Sequence, residues 1–95
     1  MKHWANATAV LQDFVKLFVG YVALDVHDNE LHALFSQYGH VHECQVIRER
    51  DTGTSRGFAF VAMGSEAEAN QCIASLDGFN IGGKRLVVRM KVRRT

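Results

Sequence analysis

Arg56-Gly57-Phe58-Ala59-Phe60-Val61-Ala62-Met63 decides the reading of this chain, because it has the composition of a strand with one cation and two aromatic rings on the same side. Successive side chains of a strand point to opposite faces. Arg56, Phe58 and Phe60 therefore share one face, and Gly57, Ala59, Val61 and Met63 share the other. A sheet dry on both faces would carry branched aliphatics on each. Two phenyl rings beside a guanidinium instead suit a partner that is flat and anionic, as bases on a phosphate backbone are.

Upstream, Val41 to Arg48 alternates loosely, with Cys44 and Val46 on one side and Glu43, Gln45 and Ile47 on the other. A polar loop, Arg48-Glu49-Arg50-Asp51-Thr52-Gly53-Thr54-Ser55, joins it to the aromatic strand, so the two strands are expected to be antiparallel neighbours. Further back, the run from Lys16 to Val22 is rich in β-branched and aromatic residues and reads as a first strand. Between these strands, Leu31, Leu34, Phe35 and Tyr38 recur at helical spacing, which predicts a helix from Asp28 to Tyr38, capped by His27 or Asp28 and stopped by Gly39.

Downstream, Ser65-Glu66-Ala67-Glu68 has the spacing of a capping box, in which a hydroxyl and a carboxylate satisfy the free N–H groups of a helix start. Ala69, Cys72, Ile73 and Leu76 form the apolar face that follows, and Gly78 ends this second helix. Gly82-Gly83 provides a turn before a last strand from Lys84 to Val92. There Leu86, Val88 and Met90 alternate with Arg85, Val87, Arg89 and Lys91.

The order is β-α-β-β-α-β, an α+β, ferredoxin-like sandwich in which two helices cover one face of a four-stranded antiparallel sheet. The other face is left open. Each ring exposed there forgoes about 1.5–3 kcal/mol of burial, which points to a ligand that covers it. One domain of residues 16–92 is expected, preceded by an extension of residues 1–15 and followed by a basic end, 93–95. In the extension, Trp4, Val10, Leu11 and Phe14 have partly helical spacing; a Trp4 folded over Phe18 and Phe60 would compete with a ligand.

The formal charge of +1 is unevenly spread: residues 1–47 hold two Lys against five Asp and Glu, whereas residues 48–95 hold nine Lys and Arg against five. Lys84, Arg85, Arg89, Lys91, Arg93 and Arg94 crowd the last twelve positions without an acid, and such a stripe matters more than the total. Cys44 and Cys72 lack both the density of a disulfide scaffold and the spacing of a zinc site, and read as small apolar residues. No apolar run reaches the roughly 18 residues that span a bilayer, and the start lacks a signal peptide's pattern. An intracellular place, nucleus or cytoplasm, with no membrane partner, is the expectation.

With these elements placed, residues 16–92 resemble the RNA-recognition motif family. Residues 56–63 resemble its octapeptide signature in seven of eight positions, and Leu17-Phe18-Val19-Gly20-Tyr21-Val22 resembles its hexapeptide on the first strand, with Phe18 at the aromatic position. The resemblance implies that the sheet binds single-stranded RNA. Phe18 and Phe60 would each stack a base, Phe58 would pack against ribose, and Arg56 would contact phosphate. Arg89 and Lys91 would add base or phosphate contacts, and Arg48, Arg50 and Arg85 complete the candidate RNA contacts. Two positions depart from the family pattern. Met63 replaces an aromatic, though its parity sends it to the core. Tyr21 replaces a frequent Asn, and its parity suggests packing at the strand's edge rather than stacking.

Other readings weigh less. His40 and His42 lack the partners of a metal set and read as polar residues where the strand begins. Thr52, Thr54 and Ser55, if phosphorylated beside Arg56, would repel RNA. A hydrolase of similar topology would need an anion-cradling loop after the first strand, but Ala23-Leu24-Asp25-Val26-His27 puts an acid there. The sequence thus supports a non-catalytic single-stranded RNA-binding module without cofactor or metal. A peptide-binding domain of the same fold is the alternative. A few stacked bases alone give modest affinity, which favours further RNA-binding domains or a protein partner.

Overall fold

The structure, a computed structural model, describes residues 14–91 of the chain. The helix expected within residues 1–15 falls almost wholly outside that span, as do Trp4 and the basic end at 93–95. Phe14 is described and is not helical; it leads directly into the first strand.

Among the described residues, the elements are β1 (Val15–Gly20), α1 (Asp28–Ser36), β2 (Val41–Arg48), β3 (Ser55–Met63), α2 (Glu66–Leu76), β4 (Asn80–Ile81), β5 (Lys84–Arg85) and β6 (Val87–Met90). The main sheet runs β2-β3-β1-β6 with every neighbour antiparallel. This is the ferredoxin-like split arrangement: the two outer strands in chain order, β1 and β6, lie side by side because the helices return over a common face.

Register follows the apolar alternation. Leu17 pairs with Val61 and Val19 with Ala59, all four fully buried, while Phe18 pairs with Phe60 on the opposite side. α1 packs on β2, and α2 packs on β6 and β1. Leu31 and Phe35 of α1 and Ala69, Cys72 and Leu76 of α2 close the core over Met63, Val88 and Leu86. Met63 is fully buried, as its parity required.

Local chemistry sets the helix ends. His27, in extended conformation, is the N-cap of α1, and its N–H donates to the Glu30 carboxylate at 2.8 Å. α1 ends at Ser36, short of Gly39, because Gln37 and Tyr38 donate to Leu34 and Phe35 in a tighter last turn. Ser65 caps α2 by accepting from the Glu68 N–H at 3.2 Å. The reciprocal half of the expected box is redirected: the Glu68 carboxylate accepts from the His40 N–H at 3.3 Å and ties α2 to the approach of β2.

Both edges of the sheet are blunted by an aspartate. Asp28 Oδ1 accepts from the Val46 N–H at 2.8 Å on β2, and Asp77 Oδ1 accepts from the Val88 N–H at 2.9 Å on β6. Unpaired edge donors would otherwise be templates for a further strand.

The last strand differs from its expected continuity. Lys84–Arg85 pairs with Asn80–Ile81 in a separate ribbon, turned by Gly82 and Gly83 at φ 65° and 88°. Positive φ at both central residues is the two-residue hairpin turn that glycine favours. Leu86 then dives into the core, and only Val87–Met90 joins the main sheet.

Candidate nucleic-acid interface

The face turned away from the helices carries Phe18, Phe58 and Phe60 as a triangle, with ring centroids 5.8, 6.0 and 5.9 Å apart. The interplanar angles are 33°, 61° and 82°, so the rings lean on one another rather than lie flat. All three are half-buried, sheltered in part by their neighbours. The Phe18 ring folds toward Phe58 over Gly20, the residue paired with Phe58 across the strands.

Cations flank the triangle. Arg56 Cζ stands 5.8 Å from the Phe58 centroid and Lys91 Nζ 5.9 Å from that of Phe60, both within the range of cation–π attraction. Arg89 pairs with Phe18 from the other side of β1 and is exposed. Arg56 also faces Glu49 at 3.6 Å, an exposed ion pair that water screens.

The remaining candidates sit elsewhere. Arg48 donates to the Gly53 carbonyl at 3.2 Å and reaches His27 Nδ1 at 3.3 Å, so its guanidinium fastens the β2–β3 loop to the start of α1. Arg50 is exposed in that loop, and Arg85 is exposed on the β4–β5 ribbon, outside the main sheet. Ser55 is buried and its Oγ accepts from the Gly57 N–H at 3.1 Å, which withdraws it from the loop's accessible hydroxyls.

Three residues with a place on the open face went unremarked as contacts in the sequence. Gln45 lies opposite Phe60 on β2, which extends the row Arg89–Phe18–Phe60 across the whole sheet. Lys16 lies opposite Ala62, one step along the face. His42 stacks on Phe14. Strand parity could have found the first two; the third depends on a β-bulge.

Tyr21 does not pack at the strand's edge. It is 66% exposed and adopts φ 55°, the left-handed region, as β1 ends. Both thiols are held protonated: burial, then the nearby Asp28, pushes Cys44 up to about 12, and burial, then Glu68, pushes Cys72 up to about 11. Neither offers a nucleophile at neutral pH.

The surface as a whole is suited to stacking and phosphate contact. The family model for the RNA recognition motif matches residues 17–87. The chain is 42% identical to RNA-binding protein CP31B, chloroplastic, of Arabidopsis thaliana over 84% of its own length and 28% of that protein's. It is 39% identical to Glycine-rich RNA-binding protein 4, mitochondrial, of the same plant, over 84% of this chain and 59% of that one. A solved "Sxl-lethal protein/RNA complex" superposes with a TM-score of 0.81 at 35% identity, covering 86% of this chain and 49% of that chain. The chain spans about a quarter to a third of the length of the chloroplast relatives it matches.

Proposed function

The chain belongs to the RNA recognition motif family, and on that premise we propose that it is a non-catalytic single-stranded RNA-binding module acting in RNA processing or post-transcriptional regulation. The observation that carries the reading is the triangle of Phe18, Phe58 and Phe60 on the helix-free face, with Arg56 and Lys91 against its rings. The relatives named as RNA-binding proteins, and the neighbour solved with RNA, support it.

Phe18 and Phe60 each stack one base, Phe58 packs against a sugar, and Arg56 and Lys91 meet phosphates. Arg89 and Gln45, at the two ends of the central row, reach the edges of bases held over Phe18 and Phe60. Arg50 and Arg85 are outlying phosphate contacts, and Arg48 contributes by ordering the loop. Base stacking contributes about 1–3 kcal/mol per base. Two or three bases with a few phosphates thus give about 6–8 kcal/mol, a Kd of tens to a few micromolar. Such an affinity favours action beside another RNA-binding domain or a protein partner, where effective concentration multiplies it.

The compartment proposed is intracellular. The relatives' names place them in the chloroplast and the mitochondrion and lend the nucleus or cytoplasm no support. Among the described residues no helix is long and apolar enough to cross a membrane.

Salt separates this reading from a peptide-binding use of the same face. RNA affinity is expected to fall steeply as salt rises, through counterion release, whereas an apolar peptide interface would hardly respond. Titration of a randomised short RNA pool at several salt concentrations, with chemical shifts mapped onto β1 and β3, tests it. A flat salt response or shifts confined to the helices would reject it.

A further inference from the structure

We propose that Phe14 and His42 form a second base-stacking site at the other end of the open face, lengthening the RNA footprint beyond the Phe18–Phe58–Phe60 platform; this rests on the RNA-binding reading above. The two rings are close to parallel, with centroids 3.8 Å apart and planes 14° from coincidence, and the His40 and His42 rings lie nearly perpendicular with centroids 4.4 Å apart. Phe14 is 40% exposed and His42 is exposed, so this stack lies at the surface.

Its position follows from the backbone. In β2 a bulge sets both His42 and Glu43 against Ala62, between the inward-facing Val41 and Cys44, so both point to the open side. Phe14 precedes Val15, whose partner is Met63, which leaves Gly64 next on the other strand. Gly64 presents no side chain, and a Cβ there would stand 2.9 Å from Glu68 Oε1 and 3.4 Å from His42 Nε2. Rings from the two flanking strands can therefore meet above it.

The path between the two aromatic sets is charged. From Phe60 to Gly64 is four residues, about 13 Å of strand. That is three to four nucleotides at a stacked rise of about 3.4 Å, and fewer when the strand is extended. Midway lie exposed Lys16, opposite Ala62 on the β1 side, and Glu43 on the β2 side. The Lys91 N–H donates to the Lys16 carbonyl at 2.9 Å, which brings the two cationic residues together on the β1–β6 side. A phosphate backbone is drawn along the lysines and turned away by Glu43, and it arrives at Phe14. The pair is already stacked, so a base gains an aromatic surface without first ordering it.

The test is titration of the full chain with randomised RNA pools of four and nine nucleotides, for wild type, Phe14→Ala, His42→Ala, His42→Phe and Phe60→Ala. Phe14→Ala and His42→Ala are expected to weaken the nine-nucleotide pool about five- to tenfold and the four-nucleotide pool, which spans the two sets only when extended, by less than half that factor. His42→Phe, which keeps the stack, is expected to retain wild-type affinity for both. Equal binding of the longer pool by wild type, Phe14→Ala and His42→Ala would overturn the second site. Loss of both pools in Phe60→Ala upholds the RNA reading in that event; if Phe60→Ala binds both like wild type, the reading beneath the proposal falls instead.

Discussion

The Phe18 ring lies so close over Gly20 that a β-carbon at position 20 would stand 2.9 Å from Phe18 Cε2 and 3.2 Å from Cζ. Glycine there lets the ring lean toward Phe58, 5.8 Å away. Gly20→Ala is expected to swing the ring aside and weaken short-RNA binding about three- to tenfold. The flexible ring, not the backbone, gives way, so the melting temperature should barely move. Anisotropy titration beside a thermal melt checks both halves.

Tyr21 is the one described non-glycine residue with positive φ, and most of its side chain is in water. Tyrosine is disfavoured in the left-handed region, whereas asparagine visits it readily. Tyr21→Asn should therefore stabilise the fold by about 0.5–1 kcal/mol, a rise of roughly 2–8 °C in Tm for a domain of this size. Thermal unfolding reads it directly.

Asp77 holds the N–H of fully buried Val88. Asp77→Ala leaves that donor unpaired at the sheet's edge, and a loss of about 1–3 kcal/mol is expected. Denaturant unfolding measures the loss. Exposure of β6 to strand pairing should also raise the tendency to aggregate, visible in light scattering.

The cysteines make stability fall at high pH. Each thiol has a folded value near 12 or 11, raised above the ordinary 9.0, so the folded chain keeps protons that the unfolded chain gives up. Their contribution is fully present below about pH 9 and is lost as pH rises through the folded values. Denaturation midpoints from about pH 9 upward should decline, and Cys44→Ser with Cys72→Ala should flatten that decline.

The two rings of β3 were legible in the sequence because parity along one strand is local and sets Phe58 and Phe60 together; Arg56 lies beyond Gly57, at φ 84°, and a register shift, and it is the 5.8 Å approach of its guanidinium to Phe58 that places it with them. The cap at Ser65 and the core residues Met63, Cys72 and Leu76 were legible for the same reason. Tertiary choices were not. Glu68 had two acceptable donors, and the fold supplied His40 rather than its own helix start. Lys84 to Val92 alternates as one strand would, yet the Gly82-Gly83 turn claims Lys84 and Arg85 for a separate ribbon. The Phe14–His42 stack depends on a bulge that no periodicity announces.

The role proposed for the open face is to hold RNA on its rings. Its most direct test is the affinity of a short randomised RNA pool for wild type against Phe18→Ala, Phe58→Ala and Phe60→Ala, each first shown to be folded by its thermal melt. At least about a tenfold loss is expected for Phe60→Ala and Phe58→Ala, and a loss of similar size for Phe18→Ala, with the fold retained. Folded variants that bind RNA as tightly as wild type would contradict it.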